Sequence, residues 1–360
     1  MSEPLSSLRD RIDELDKHIQ QLISERASIA EQVAKTKQQT EGEKALFYRA
    51  EREADVLRRV KERNTGPLSD DEIARLFREI MSACLALEQP LKIAYLGPEG
   101  TFTQAAALKH FGHSVNTLPL STIADVFTEV EAETASYGVV PIENSTEGVV
   151  NHTLDEFIKS ELHVCGEVEL RIHQCLMGKD TALDRVNKIY SHRQSLGQCR
   201  RWLDTHLANV DRIEVSSNAE AAKMAAKDNT AAAIAGEMAA ELYGLDILSR
   251  NIEDETNNTT RFLIIGKRAT PTSGDDKTSL LVTADNKPGA LYRMLEPLAR
   301  NGISMTRIES RPSRQGMWNY VFFVDIEGHK SEPGISKALK ELSETAAMVK
   351  ILGSYPRAVL

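Results

Sequence analysis

Arg26, Lys37, Glu53 and Glu88 sit where apolar residues would continue a helical stripe in the first ninety residues of this chain. Leu8, Ile12, Leu15, Ile19 and Leu22 form a heptad-like series. Arg26 takes the next seam position, and Ile29 and Val33 resume the series. A charge withdrawn from water is costly unless opposite charge meets it, so Arg26 is read as receiving an anion. Lys37 follows three turns later, a rise of about 16 Å on the same face. Glu53 opens the series Glu53, Val56, Leu57, Val60, and Glu88 ends the series Ile73, Phe77, Ile80, Met81, Cys84. Two cations and two carboxylates facing one helical core describe a site for a small anionic ligand. The bland alternative is a buried ion-pair network that fixes helix register.

The elements that must position these groups are three helices between Leu5 and Leu87, broken by turn-forming residues at 40–43 and 64–67. The first exceeds thirty residues and cannot bury its stripe against two short partners, so a second copy of the chain is expected to supply the rest. That predicts a homodimer with exchanged helices and leaves open whether dimers pair into tetramers. At 360 residues the chain is too long for one core. A net charge of -9 with 27% charged residues argues against nucleic acid or an anionic membrane as the main partner. Cys84, Cys165, Cys175 and Cys199 show neither metal-ligand spacing nor a disulfide framework, so no metal is expected. No apolar run approaches the roughly 20 residues of a membrane span, and the polar N-terminus starts a helix directly, which points to a cytoplasmic protein.

After Pro90 the texture changes to short β-rich runs alternating with helices: 92–96, 137–142, 162–174, 188–191, 212–215, 231–235 and 261–265. Such alternation marks an α/β sheet. Residues 269–277 are rich in Pro, Ser, Gly and Asp and read as a linker. A compact β-α-β-β-α-β pattern follows: strands at 279–283, 304–311, 318–325 and 348–354, and helices at 290–300 and 332–342. The expected domains are 1–90, 91–270 and 277–360. Three strand-to-loop motifs fall in the middle one. Gly97-Pro98-Glu99-Gly100-Thr101-Phe102-Thr103 follows a strand and opens a helix, which aims N–H groups and hydroxyls at an anion, though alone it is equally an ordinary tight turn. Pro141-Ile142-Glu143-Asn144-Ser145 with Gly148 repeats the device, and Thr259-Thr260-Arg261-Phe262 follows an asparagine-rich loop. His192, in Ser191-His192-Arg193-Gln194 with Gln198 nearby, reads as a general acid or as a helix cap. Asn286-Lys287-Pro288-Gly289-Ala290-Leu291 turns into the first helix of the last domain, and Glu309-Ser310-Arg311-Pro312 ends its second strand.

The order of these modules resembles the bacterial bifunctional chorismate mutase and prephenate dehydratase enzymes over nearly the whole chain. The first part is similar to all-α chorismate mutases, whose domain-exchanged dimers form two sites. On that resemblance Arg26 binds one substrate carboxylate, Arg9 reaches the second from the partner chain, and Lys37 donates to the ether oxygen. Arg52 and Glu53 match the family's Arg-Glu pair, whose glutamate contacts the substrate hydroxyl. Glu88 stands where the family has a glutamine donor and Cys84 where it has a serine, while Tyr48 and Arg49 occupy the neighbourhood of a family acidic residue. A carboxyl donates only when protonated, so burial is expected to raise the pKa of Glu88 against the opposing Lys37. The middle part resembles prephenate dehydratase, two α/β lobes around a cleft like a periplasmic binding protein. The resemblance implies leaving-group assistance by Thr260, with Thr101, Asn144, Ser145 and Arg261 as binding residues, Arg261 either orienting the loop or pairing with a carboxylate. Glu143 is read as orienting rather than as the acid. The last part looks like an ACT domain, a ferredoxin-like fold that binds amino acids, and implies a phenylalanine site at Asn286, Gly289, Ala290, Leu291, Glu309, Ser310 and Arg311. Ordinary turns in a ferredoxin-like sandwich are the alternative there.

The expectation is therefore conversion of chorismate to prephenate and then to phenylpyruvate, without cofactor, inhibited by L-phenylalanine. The rivals are an amino-acid-sensing two-lobed binding protein with a helical dimerisation domain, and a dehydratase whose mutase part is inactive.

Overall fold

Three helices come first: α1 (Leu5–Glu41), α2 (Ala50–Glu62) and α3 (Asp70–Glu88). They belong to a computed structural model that describes residues 4–42, 46–284, 287–312 and 320–360. Gly42 closes α1 with a φ of 59°, a conformation that costs glycine little. Ser69 and Glu72 form a reciprocal capping box that starts α3. Along α1, Ala34 is buried, whereas Leu8, Ile12, Leu15, Ile19, Leu22, Ile29 and Val33 of the predicted seam are all exposed. Within one chain the stripe thus has no cover over most of its length.

The middle of the chain forms two sheets. The first has the order β2-β1-β3-β11-β5, from β1 (Lys92–Leu96), β2 (Asn116–Leu120), β3 (Tyr137–Asn144), β5 (His163–Arg171) and β11 (Thr259–Gly266), with β4 (Gly148–Val149) paired to β3. Its helices are α4 (Phe102–Phe111), α5 (Ile123–Glu131) and α6 (Asn151–Lys159). The second has the order β10-β6-β9-β7-β8, from β6 (Cys175–Gly178), β7 (Lys188–His192), β8 (Asp211–Val215), β9 (Ala231–Ala235) and β10 (Asp246–Ser249). Its helices are α7 (Arg193–Gln198), α8 (Arg200–His206), α9 (Asn218–Ala225) and α10 (Glu237–Tyr243). The chain crosses between lobes twice, from β5 to β6 and from β10 to β11, giving the two-lobed architecture. Sequence reading missed β2, β4, β6 and β10, the run expected at 162–174 stopping just short of β6. β2 and β10 are edge strands, only partly buried, and carry no continuous apolar signal.

The third sheet, in the order β13-β14-β12-β15, is built from β12 (Asp276–Ala284), β13 (Met305–Pro312), β14 (Tyr320–Glu327) and β15 (Met348–Pro356), with α11 (Ala290–Arg300) and α12 (Pro333–Thr345) on one face. The expected strand start at Trp318 lies outside the described residues. The opposite face packs on the first lobe: Leu281, Val321, Phe323, Leu352 and Tyr355 share one apolar cluster with Phe157, Val164, Leu263 and Ile265. Gly353 allows this approach, since a methyl group there would strike the backbone of Val164.

The stretch expected as a linker is irregular but pinned. Thr270 and Asp276 are buried, the Asp276 carboxylate accepts from Thr272, Ser273 and Gly274, and Arg58 of α2 donates to the Ser273 carbonyl at 2.5 Å. The chain end returns to the helices: Val359 and Leu360 pack against Leu57, Ala74 and Met81, and Lys61 donates to the Val359 carbonyl at 2.5 Å.

Candidate active sites

The bundle brings Arg26, Lys37, Arg52, Glu53, Cys84 and Glu88 around one cavity of about 480 Å³, closed on its apolar side by Ile29, Val33, Val56 and Met81. Arg49, which sequence reading did not select, also lines it and pairs with Glu51 at 2.6 Å. Lys37 donates to the Leu46 carbonyl at 2.9 Å, which leaves two of its three ammonium donors for a ligand. Glu88 is half-buried. Burial raises its pKa, and Lys37 and Arg26 oppose the rise without cancelling it. Glu53 meets the buried Arg78 of α3, whose guanidinium also reaches the His110 carbonyl of α4. Arg78 carried no sequence signal, because it lies beside Phe77 and off the Ile73, Phe77, Ile80, Met81, Cys84 series. Beside it the Tyr48 hydroxyl and His110 Nε2 lie 2.9 Å apart. Burial, then Arg78, holds the His110 pKa well below its ordinary value. Arg9 is exposed near the start of α1, about 25 Å along the axis from Arg26, and does not line the cavity of its own chain.

A second cavity, of about 670 Å³, lies between the lobes. The first turns or caps of α4, α6, α7, α9 and α10 contribute to its wall, through Thr101, Asn151, His192, Asn218 and Gly236. Oriented N–H groups, hydroxyls and amides therefore face the space, and among the described lining residues there is no Lys or Arg. Asn144 and Thr260 are cross-strand partners on β3 and β11. Asn144 Oδ1 accepts from the Thr146 and Glu147 N–H groups at 3.0 and 2.9 Å, which fixes the amide so that Nδ2 donates to Thr260 Oγ1 at 2.8 Å. With its oxygen accepting there, the Thr260 hydroxyl keeps its own hydrogen for the cavity. His192 both lines the cavity and caps α7, its Nδ1 accepting from the Gln194 N–H at 3.4 Å. Across from Thr260, Gln174, Ser195, Gln198 and Asn218 form a linked amide and hydroxyl cluster, with Asn218 Nδ2 to Ser195 Oγ at 2.8 Å and Gln174 Nε2 to Ser195 Oγ at 3.1 Å. Of these only Gln198 had been noticed, since lone Ser, Asn and Gln residues carry no pattern.

Three expectations are corrected by strand geometry. Arg261 does not face the cleft: side chains alternate along β11, and with Thr260 directed into the cavity Arg261 points the other way, to Glu167, Asp325 and Tyr355. Ser145 does not line the cavity either. Its hydroxyl staples the loop, accepting from the Thr259 N–H at 3.0 Å and donating to the Asn257 carbonyl at 3.4 Å. Arg311 is engaged by α6, with Asp155 at 3.1 Å and the Asn151 carbonyl at 2.6 Å, so it and the exposed Ser310 face opposite sides of β13. Glu309 shares the half-buried face of Arg311. Gly289 adopts a φ of 76° at the cap of α11, Ala290 begins that helix, and Leu291 is exposed. Asn286 lies outside the described residues.

All four cysteines are free and buried, and burial pushes the Cys165 thiol up to about 12. Among the described residues no helix is long and apolar enough to cross a membrane, and no group of three or more His, Cys, Asp or Glu is placed to hold a metal.

Comparison with known proteins matches three family models in sequence order: chorismate mutase type II over residues 8–89, prephenate dehydratase over 93–270 and the ACT domain over 278–344. A bifunctional chorismate mutase/prephenate dehydratase of Stutzerimonas stutzeri is 58% identical over 362 residues, covering 100% of this chain and 99% of the relative. A solved prephenate dehydratase from Arthrobacter aurescens in complex with L-Phe is 33% identical with a TM-score of 0.70, covering 74% of this chain and 90% of that one. A second solved structure, described as GqqA, a novel type of quorum quenching acylase, is also 33% identical, with a TM-score of 0.69 over 74% of this chain and 98% of that one. One scaffold thus carries more than one described activity, and function must be argued from the cavities. With both cavities in place and a relative of this identity matched from end to end, the chain belongs to the bifunctional chorismate mutase/prephenate dehydratase family, with an ACT domain at its C-terminus.

Proposed function

We propose that this protein rearranges chorismate to prephenate in the bundle cavity and converts prephenate to phenylpyruvate in the cleft between the lobes, with L-phenylalanine acting as inhibitor from the C-terminal sheet. The carrying observation is that two separate cavities hold two different donor sets, one built from charged side chains and the other from neutral donors and helix N-termini.

The first reaction is pericyclic and needs no nucleophile or proton shuttle. It needs a folded substrate conformer and donors facing the oxygen that gains negative charge. Arg26 and Arg52 hold carboxylate, Lys37 and protonated Glu88 donate to the ether oxygen, and Glu53 accepts from the ring hydroxyl, with Cys84 against the substrate. Arg9 comes from a second chain, whose α1 covers the exposed Leu8 to Leu22 seam in a homodimer. The exposed Leu291, Tyr292, Met305, Ile308 and Tyr320 offer a second surface through which dimers would pair.

In the second reaction the ring carboxylate leaves as carbon dioxide. The electron pair of the broken carbon–carbon bond moves through the ring and expels the hydroxyl group as the ring becomes aromatic. Thr260 donates to the departing oxygen, and Asn144 orients it. A weak acid suffices because aromatisation drives the step. Thr101 and the helix N-termini receive the carboxylate that is kept. Unpaired, buried thiols agree with a reducing, cytoplasmic setting.

Incubating the purified protein with chorismate, while following prephenate and phenylpyruvate separately with and without phenylalanine, tests the scheme. Both products are expected in sequence, with the second suppressed by phenylalanine. Accumulation of prephenate alone would remove the second activity.

A further inference from the structure

Asn144 and Thr260 face each other across β3 and β11, and the next pair in register is Glu143 and Arg261. Because alternate residues point to opposite faces, this second pair leaves the cleft and meets the C-terminal sheet. Arg261 Nε lies 2.8 Å from Glu167 Oε2, Nη1 lies 2.6 Å from Asp325 Oδ2 of β14, and Nη2 lies 3.0 Å from the Tyr355 hydroxyl of β15. Asp325 is held in turn by Ser279 Oγ at 2.5 Å, and Lys277 shares Glu167 at 2.8 Å. On the other strand, Glu143 Oε2 lies 2.9 Å from Nε of Arg307 on β13, whose side chain is 10% exposed. Each strand that carries a cleft residue is therefore gripped, one residue away, by a charged residue of the C-terminal sheet.

The β11 to β3 ladder shifts register between Arg261 and Phe262, so the strand is locally irregular where it is gripped. The Arg261 pairs with Glu167 and Asp325 are buried on both sides and expensive to break, whereas Glu143 is 39% exposed and its pair with Arg307 is the looser of the two clasps. A displacement of β13 and β14 must therefore carry the ends of β3 and β11 with it or leave charges unpaired. Arg307 and Arg311 lie on the half-buried face of β13, while Ile308 and Ser310 of the same strand are exposed, so one strand presents a ligand-accessible face and holds the cleft with the other.

We propose that Glu143 and Arg261 are positioning residues of the dehydratase cleft, and that Arg307 and Asp325 are the contacts through which the C-terminal sheet sets the Thr260 and Asn144 geometry. A ligand bound to that sheet then acts on the cleft through these two clasps. This rests on the reading above that the cleft converts prephenate and the C-terminal sheet takes phenylalanine.

The test uses the full chain, with prephenate turnover, phenylalanine binding by calorimetry and mutase turnover measured on each variant. In Arg307→Glu, the phenylalanine concentration that halves prephenate turnover is expected to rise at least tenfold, with phenylalanine still bound and mutase turnover unchanged. The double variant Glu143→Arg/Arg307→Glu restores the opposite charges and is expected to recover inhibition. Arg307→Gln, which removes the charge without reversing it, is expected to weaken inhibition at least threefold. Arg261→Lys is expected to lower kcat for prephenate at least tenfold with KM changed less than twofold. Unchanged inhibition in both single Arg307 variants, or no recovery in a double variant that binds phenylalanine, overturns the regulatory half. A fall in Arg261→Lys that appears in KM alone overturns the positioning half. Absence of phenylalanine binding by the unaltered chain overturns the earlier reading of the C-terminal sheet and the regulatory half with it, while the Arg261→Lys kinetics still judge the positioning half.

Discussion

The bundle cavity and the interlobe cleft both face doubly negative substrates, yet they are furnished in opposite ways. Arg26, Lys37, Arg49, Arg52, Glu53 and Glu88 line the first, whereas the described lining of the second contains neither Lys nor Arg. The difference follows from backbone hydrogen bonding. The lining residues of α1 and α3 lie where every N–H is already spent on the preceding turn, so an anion there is met by side-chain charge, and even the first turn of α2 contributes the side chains of Arg52 and Glu53. In the lobes, strands end where helices begin, and the free N–H groups of several first turns converge on one space. A second contrast is completeness. The cleft is walled by one chain, while the bundle cavity opens beside an α1 seam that is bare in the single chain.

The strongest way to break this contrast is Arg26→Ala. Losing a charged donor from the bundle is expected to lower mutase kcat/KM on the order of 10²–10³-fold and to leave prephenate turnover unchanged. Equal loss of both activities would show that the cavities are not independent. Thr260→Val is the mirror experiment, with prephenate turnover expected to fall about a hundredfold and the mutase unaffected. An effect below a few-fold would remove Thr260 from the chemistry.

A smaller, pH-resolved effect separates the two donor sets. The raised pKa of Glu88 keeps its proton above the ordinary carboxylate range, and the proton is lost as pH climbs through that raised value. Mutase kcat is therefore expected to decline on the alkaline side, and Glu88→Gln to flatten that limb, while the dehydratase profile stays the same in both proteins. The smallest expected effect concerns the seam between the two regions. His110 has a folded pKa well below 6.5, so the unfolded chain binds the proton more readily. Its contribution to stability is complete above pH 6.5 and is lost as pH falls towards the folded value. The thermal midpoint is expected to drop by a few degrees between pH 7.5 and 5.5, and less so in His110→Gln. Identical pH dependence of Tm in the two proteins would exclude His110 as the sensitive group.

Much of this architecture was legible from periodicity. The heptad of α1, the capped α3, the buried centre of β1 and the fully buried β9 advertise themselves because burial demands apolar residues at a fixed period. The β2 and β10 edges, half exposed, do not. At the bundle site, charges on an apolar stripe were conspicuous, and Arg26, Lys37, Arg52, Glu53, Cys84 and Glu88 do share one cavity. Arg78 escaped notice although it joins Glu53 to α4, since its partner on α4 is a carbonyl, which any sequence has. In the cleft, the motif around Asn144 and Thr260 marked the right strands but not which side chains enter. Arg261 and Ser145 lie beside the two cleft residues in sequence and outside the cavity in space.

By itself the order of residues determined the long helices and the apolar strands, that charge is seated on a greasy helical seam, and that three modules follow one another. Those properties are local, set by side-chain period and by what each residue costs to bury. Only the tertiary structure decided which neighbour a charged strand residue faces, that the Glu143 and Arg261 side chains meet the C-terminal sheet and do not enter the cleft, and that the chain end returns to the helices. Such choices depend on which surfaces remain uncovered once the sheets have stacked, and that sum over distant contacts is written at no single position.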